Sequence, residues 1–348
     1  MSLIESICKN IYPLDTRFME QAQARQDRLI KPQGSLGKLE DISIQLAGIY
    51  GSKYFDTTKK IVLSFACDHG VYEEGVAPNN QNITLLQSMN FPKKINGVGT
   101  ISKFVGSDVQ LIDVGINCDE PIEGVIDCKI RKSTSNMAKG PAMTRQEAIR
   151  AIEIGIEMSE KYIQEDYKVI GIGEMGIANT TPSAAIISVI AGCYPQEVTG
   201  MGAGLKKELL QHKAQVIRTA IEINQPNPTD GIDILQKVGG FEIGSMAGVI
   251  LGCSANRVPV VLDGFISYAA ALIAVNINPR CKDYMIASHY SAEPGAKKAL
   301  ELLGLDPFLK MDMRLGEGSG AALAFNMIEA ANYVYKNMLT FDEVDMGM

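Results

Sequence analysis

Histidine is scarce in this chain, and the three present, His69, His212 and His289, lie far apart, so a histidine-based metal site is not expected. No CxxC pair occurs. The seven cysteines (Cys8, Cys67, Cys118, Cys128, Cys193, Cys253, Cys281) are scattered and odd in number, which points to reduced thiols and away from a disulfide framework or zinc ribbon. There is no basic excess: 33 basic against 40 acidic residues give a net charge of −7, which argues against a nucleic-acid surface and an anionic membrane partner. The N-terminus MSLIESICKNIYPLD has no signal-peptide pattern, and the longest strongly apolar stretch, Tyr268 to Val275, is too short to span a bilayer. A cytosolic protein is expected. No GxxxxGK[ST] loop occurs, and Val260-Val261-Leu262-Asp263-Gly264 carries one acid where the common diphosphate loops carry two, so magnesium-dependent pyrophosphate chemistry is not suggested.

What the chain does contain is apolar material at 46% hydrophobic residues, enough for a large core, in a length of 348 residues that suits one large α/β domain with an accessory piece. After Lys60, short β-branched runs each end in a polar group: Ile61–Cys67 into Asp68-His69, Val109–Ile112 into Asp113, and Val169–Gly173 into Glu174. Val258–Leu262 into Asp263-Gly264 and Tyr284–Ala287 into Ser288-His289 follow. Helical stretches separate them, including Arg145–Tyr162, Pro182–Ala191 and Leu205–Ile223. Continuous apolar strands alternating with helices predict a doubly wound, mainly parallel, Rossmann-like α/β sheet. Ligands bind beyond the carboxyl ends of such strands, so the five polar ends are expected to rim one site. Helices near both termini are expected to form a smaller domain, residues 1–55 plus 305–348, beside a large nucleotide-binding domain, 56–304.

Two carboxylates sit among glycines. Arg314-Leu315-Gly316-Glu317-Gly318-Ser319-Gly320 leads into a helical run, where free N–H groups and the dipole favour an ionised Glu317. A plain N-terminal cap reads equally well from the pattern. The second segment, Gly171-Ile172-Gly173-Glu174-Met175-Gly176-Ile177-Ala178-Asn179-Thr180-Thr181-Pro182, resembles a GxGxxG dinucleotide fingerprint, but Glu174 occupies the pyrophosphate's place. The helix there is expected to start at Thr181, as N-cap, and Pro182, offering amides and the Thr180 and Thr181 hydroxyls to a monophosphate or ribose.

The segments KPQGSLGKLE (31–40), ACDHGVYEEGVA (66–77), GIGEMGIANTTP (171–182), INQPNPTDGIDILQKVGGFEI (223–243), VVLDGFISYAAAL (260–272), ASHYSAEPGA (287–296) and RLGEGSGAALA (314–324) closely resemble one family, nicotinate-nucleotide–dimethylbenzimidazole phosphoribosyltransferase, across nearly the whole chain. The resemblance implies transfer of ribose phosphate from nicotinate mononucleotide to an aromatic base, with no cofactor and no metal, in building the lower ligand of cobalamin. It implies Glu317 as the general base. It places Glu174, Gly176, Asn179, Thr180, Thr181 and Gly264 around the donor nucleotide, with Gly202, Lys213 and Ser291 on its 5′-phosphate. Lys213 would by pattern alone be a solvated helix residue. Asn79, Gln87, Met175 and Leu315 would line the acceptor pocket, Asn79 standing where the family pattern has serine and Met175 where leucine is common. These departures leave open a phenol or cresol acceptor, which in the family goes with a paralogous partner subunit instead of a homodimer. A catalytically silent nucleotide-binding subunit is the alternative from another class.

Overall fold

The computed structural model describes residues 2–344. Six strands, β1 (Lys60–Cys67), β2 (Asp108–Gly115), β3 (Ile126–Asp127), β4 (Val169–Met175), β5 (Val260–Leu262) and β6 (Met285–Ala287), form one sheet in the order β3-β2-β1-β4-β5-β6. Every pairing is parallel. β1 is buried along its whole length. Its side chains alternate between two cores: Ile61, Leu63, Phe65 and Cys67 enter one, Val62 and Ala66 the other. Both faces being dry explains why these strands read as unbroken apolar runs.

On one face, helices Arg145–Gln164 and Phe241–Ala255 pack closely, because a Cβ at Gly155 would fall 1.8 Å from the Ser245 carbonyl oxygen and one at Gly248 would fall 1.9 Å from that of Ile152. Helix Leu3–Lys9 joins this layer through Ile4 and Ile7. On the other face lie helices Lys38–Tyr50, Gly97–Val105 and Ser319–Asn337. Helix Thr16–Arg28, capped by Asp15 through the amides of Arg17 and Phe18, packs outside them. The terminal segments beyond Leu3–Lys9 therefore meet on the sheet face that carries the Glu317 loop. The expected small domain extends to residue 348, and 345–348 lie outside the described residues.

The strand order reverses between β1 and β4, the topological switch point where an open parallel sheet leaves a crevice. Two expectations change here. Only β4, β5 and β6 send their polar ends into the main cavity. The Asp113 carboxylate instead caps its own turn through the amides of Gly115 and Ile116 and pairs with Lys129 at 3.2 Å, while Asp68 accepts from the Asn117 amide at 2.8 Å. The dinucleotide fingerprint also fails. Gly171 and Gly173 lie inside β4, packed against Ala321, Phe325 and the Glu317 backbone, so they do not form the free loop between strand and helix that a pyrophosphate needs.

Candidate active site

A cavity of about 280 Å³ opens at the carboxyl ends of β4, β5 and β6. Its lining brings together Asn79, Gln87, Glu174, Met175, Gly176, Asn179, Thr180, Gly202, Gly264, Ser291, Leu315 and Glu317. Of the residues expected from sequence, Thr181 and Lys213 do not line it. Lys213 opens instead on an adjoining lobe of about 40 Å³ whose wall shares Asn79, Gly176, Asn179 and Thr180 with the main cavity.

The loop carrying Glu317 is built from backbone that most side chains disfavour. Gly316, Glu317 and Gly318 have φ of 89°, 64° and 95°. Glycine adopts such values without steric cost; Glu317 does so at a cost of order 1–3 kcal/mol that the surroundings must offset. They do so at three points. The Ser64 hydroxyl donates to the Glu317 carbonyl at 2.7 Å, and the Glu317 N–H donates to Glu174 Oε1 at 3.4 Å. The Asp263 carboxylate accepts from the amides of Gly318 (3.2 Å) and Gly320 (2.7 Å).

This corrects the expected electrostatics of Glu317. The free amides that open helix Ser319–Asn337 are satisfied by Asp263, at the end of β5, and not by Glu317. The Glu317 carboxylate reaches across to a different helix, Gly97–Val105. There its Oε2 accepts from the Val98 amide at 2.9 Å and from Asn96 Nδ2 at 3.0 Å. Asn96 itself caps that helix through the Gly99 amide at 3.3 Å. Burial raises the Glu317 pKa above the ordinary carboxylate value, and the Val98 and Gly97 amides with Asn96 restrain the rise.

Glu174 is more strongly perturbed. Burial raises its pKa to about 8, with Asp263 and Glu242 adding to the rise, while the Asn179 amide that hydrogen-bonds its Oε2 opposes it. Asp263 is raised to about 7 by burial against the helix amides that lower it. His289, hydrogen-bonded through Nδ1 to the Ser288 hydroxyl at 2.9 Å, is lowered to about 4 by burial and is therefore neutral near pH 7.

Around the expected phosphate position, helix Thr180–Ala191 begins earlier than the sequence suggests, with Asn179 as its first flanking residue. Thr181 lies inside the helix, fully buried, its hydroxyl without a hydrogen-bond partner among the described residues and away from the cavity. Thr180 faces the cavity, and Lys213 Nζ donates to its Oγ1 at 2.7 Å and to the Gly200 carbonyl at 3.2 Å. Lys213 is 1% exposed, which removes the solvated-face reading, and burial lowers its pKa to about 8. The Gly202 amide, expected to face phosphate, donates to Glu293 Oε1 at 2.9 Å.

A model of a phosphoribosyltransferase family matches residues 11–346 of the sequence. The chain belongs to this family. A nicotinate-nucleotide–dimethylbenzimidazole phosphoribosyltransferase of Clostridioides difficile (strain 630) is 74% identical over 347 residues, covering 100% of both chains. One of Alkaliphilus metalliredigens (strain QYMF) is 51% identical, covering 99% of each. The crystal structure of CobT from Thermus thermophilus superposes with a TM-score of 0.90 at 36% identity, over 94% of this chain and 98% of that one.

In this phosphoribosyltransferase, several cavity residues escape sequence reading. Asp263 is visible as a strand-end acid, but its service to the Glu317 loop depends on a partner 55 residues away. His289, Glu293, Arg314 and Phe265 also line the cavity, and Asn96 and Val98 stand behind the Glu317 carboxylate. Asn96-Gly97 carries the one usable signal, an Asn N-cap, yet nothing in it names the Glu317 carboxylate as the helix's anion. No described helix is long and apolar enough to cross a membrane.

Proposed function

We propose that this cavity transfers the 5-phosphoribosyl group of nicotinate mononucleotide to an aromatic base of the dimethylbenzimidazole type, giving the α-riboside 5′-phosphate and free nicotinate. The observation that carries the reading is the single cavity: the expected donor carboxylate Glu174, the expected base Glu317 and the acceptor-side residues Asn79, Gln87, Met175 and Leu315 all face it.

The chemistry needs little from the protein. The donor's anomeric carbon bears a pyridinium nitrogen. As the acceptor nitrogen attacks, the C1′–N bond breaks and its electron pair neutralises the pyridinium, so the leaving group needs no proton. Glycosidases, by contrast, need an acid as well as a base or nucleophile. The acceptor's proton has to go somewhere, and Glu317 takes it. With Oε2 held by Asn96 and Val98, Oε1 is the oxygen left for that proton. Four acidic side chains, Glu174, Asp263, Glu293 and Glu317, line the cavity. Burial raises the pKa of each, Glu174 to about 8 and Asp263 to about 7, so a cationic pyridinium entering beside them would favour their ionised forms, which would then stabilise the positive charge that develops on the ribose.

Thr180, Gly202, Ser291 and Lys213 would receive the 5′-phosphate, Lys213 as a buried point charge one wall behind the cavity. Gly176, Asn179 and Gly264 would pack against the nucleotide. Thr181 would act only by packing helix Thr180–Ala191. The names of the 74% and 51% identical relatives favour dimethylbenzimidazole over a phenolic acceptor, and with it a pair of identical chains over a paralogous partner. Seven free cysteines fit a cytoplasmic enzyme. Of the terminal segments expected to form a small domain, 1–55 and 305–348, the parts after helix Leu3–Lys9 would then serve as the unit that carries Glu317 to a nucleotide held by 56–304.

The test is direct. The protein is incubated with nicotinate mononucleotide and, in turn, dimethylbenzimidazole, adenine and p-cresol, and the riboside is identified by mass spectrometry and NMR. Preferential formation of an N-linked α-riboside with release of nicotinate is expected; an O-linked product would move the assignment to a phenolic acceptor. No consumption of the nucleotide with any acceptor would contradict the reading.

A further inference from the structure

Behind the floor of the cavity lies a second group of reactive side chains that the transfer reaction does not use. Cys67, His69 and Glu242 are each fully buried, and a thiol sulfur, an imidazole nitrogen and a carboxylate oxygen from them lie within 4.8 Å of one another. No sequence pattern announces the group: Glu242 is far along the chain from the other two, brought in by helix Phe241–Ala255 against the end of β1.

The group is poorly satisfied by protein alone. His69 Nε2 lies 2.9 Å from Glu242 Oε1, close enough for an ion pair. Yet neither ring nitrogen of His69 and neither carboxylate oxygen of Glu242 has a well-directed hydrogen-bond partner among the described residues. Buried polar atoms are ordinarily paired, and a buried carboxylate with one loosely placed neighbour is costly. A cation centred between these atoms would pair the His69 nitrogen and the Glu242 carboxylate at once, and would replace the 3.1 Å hydrogen bond that the Cys67 thiol donates to the Asp68 carbonyl. Sulfur, imidazole and carboxylate together match the preferences of zinc, which accepts S, N and O donors and imposes no geometry of its own.

We propose that Cys67, His69 and Glu242 form a binding site for a transition-metal dication of the zinc class, outside the reaction path and bracing the cavity floor. Gly176 is the partition. It lines the cavity, and a Cβ on it would fall 2.4 Å from the Cys67 carbonyl oxygen and 3.3 Å from His69 Nε2. The ion thus ties the end of β1 to helix Phe241–Ala255 directly beneath the turn that presents Glu174 and Asn179. The role is structural, so the proposal stands or falls apart from the substrate assignment.

The experiment uses the full chain, stripped with chelator and titrated with Co(II) as a spectroscopic substitute for Zn(II). One Co(II) per chain is expected, with intense tetrahedral d–d bands and a near-ultraviolet thiolate-to-metal charge-transfer band. In Cys67→Ser the charge-transfer band is lost, and affinity falls at least 10-fold in both Cys67→Ser and Glu242→Gln. Zn(II) is expected to raise the melting temperature of the wild type and not of Cys67→Ser, which deletes one atom's chemistry without changing volume much and so guards against misfolding of the Glu242 variant. Substoichiometric binding, or a charge-transfer band unchanged in Cys67→Ser, would overturn the proposal, the latter by placing the ion on another of the free cysteines.

Discussion

The Glu317 backbone amide donates to Oε1 of Glu174 across 3.4 Å, so the carboxylate assigned to the donor nucleotide also holds the loop that carries the assigned base. Asp263 completes the arrangement from β5 by capping the amides of Gly318 and Gly320. Glu174, Asp263 and the Glu317 loop are therefore one hydrogen-bonded assembly.

Replacing Asn96 by Ala removes one of the hydrogen bonds that hold the Glu317 carboxylate in its charged form. The Glu317 pKa should rise, and the acidic limb of the kcat/KM profile should move to higher pH. A loss of about 10-fold in kcat is expected, below the roughly 10²- to 10⁴-fold of losing a positioned base outright, because Glu317 remains. Initial rates from pH 5 to 9 check this; an unmoved acidic limb would remove Asn96 from the account.

Lys213, with a pKa lowered to about 8, is charged at pH 7 and loses its charge as pH rises through 8. Nicotinate mononucleotide should therefore bind more weakly above that pH. Lys213→Met should raise KM for the nucleotide by about 10- to 100-fold, the equivalent of roughly 1.4–2.7 kcal/mol, and flatten the alkaline limb. Isothermal titration at pH 7 and pH 9 measures the change in nucleotide binding, and initial rates over the same range measure the KM and the alkaline limb.

Gly173 tolerates no side chain. A Cβ there would lie 2.2 Å from the Glu317 carbonyl oxygen and 2.7 Å from the Gly318 nitrogen, both backbone atoms with nowhere to go. Gly173→Ala should destabilise the protein by about 1–3 kcal/mol, as overpacking does. It should also cost more activity than stability explains, because the displaced atoms are those of the base-bearing loop. Chemical denaturation paired with kinetics separates the two effects.

Glu174 makes the ligand-free protein pH-sensitive. Its folded pKa, about 8, lies above the ordinary carboxylate value, so the folded chain keeps a proton that the unfolded chain releases between about pH 4.5 and 8. Stability from this group is fully present below that window and falls as pH rises through it, by an amount on the order of a few kcal/mol. The difference in unfolding free energy between the wild type and Glu174→Gln, followed from pH 5 to 8.5, should shift steadily against the wild type as pH rises.

Much of this is legible in the sequence because it is local. β1, β4 and the helix from Arg145 announce themselves through unbroken apolar runs, 3.6-residue spacing and a Thr144–Glu147 capping box. β3 has two residues and no such signature. The Glu317 environment is not legible for a related reason: the sequence shows a carboxylate next to a helix start, and proximity in sequence suggests that it faces that helix. The fold gives that place to Asp263 and turns Glu317 toward Asn96 and Val98, more than 200 residues earlier. Thr181 differs from expectation by less than a turn, since Pro182 is as well tolerated deeper in the first turn as at its first position. Lys213 reads as a surface helix residue because its burial depends on the loop at Gly200, which meets it only in three dimensions.

The central claim is that Glu317 is the sole proton acceptor in a transfer whose leaving group needs no acid. Glu317→Gln preserves shape and the hydrogen-bond capacity of Oε2's position while removing the base. With nicotinate mononucleotide and dimethylbenzimidazole, kcat should fall by about 10²- to 10⁴-fold, while the dissociation constant for the nucleotide, measured by titration, changes less than about 3-fold. A variant that retains wild-type kcat would contradict the account.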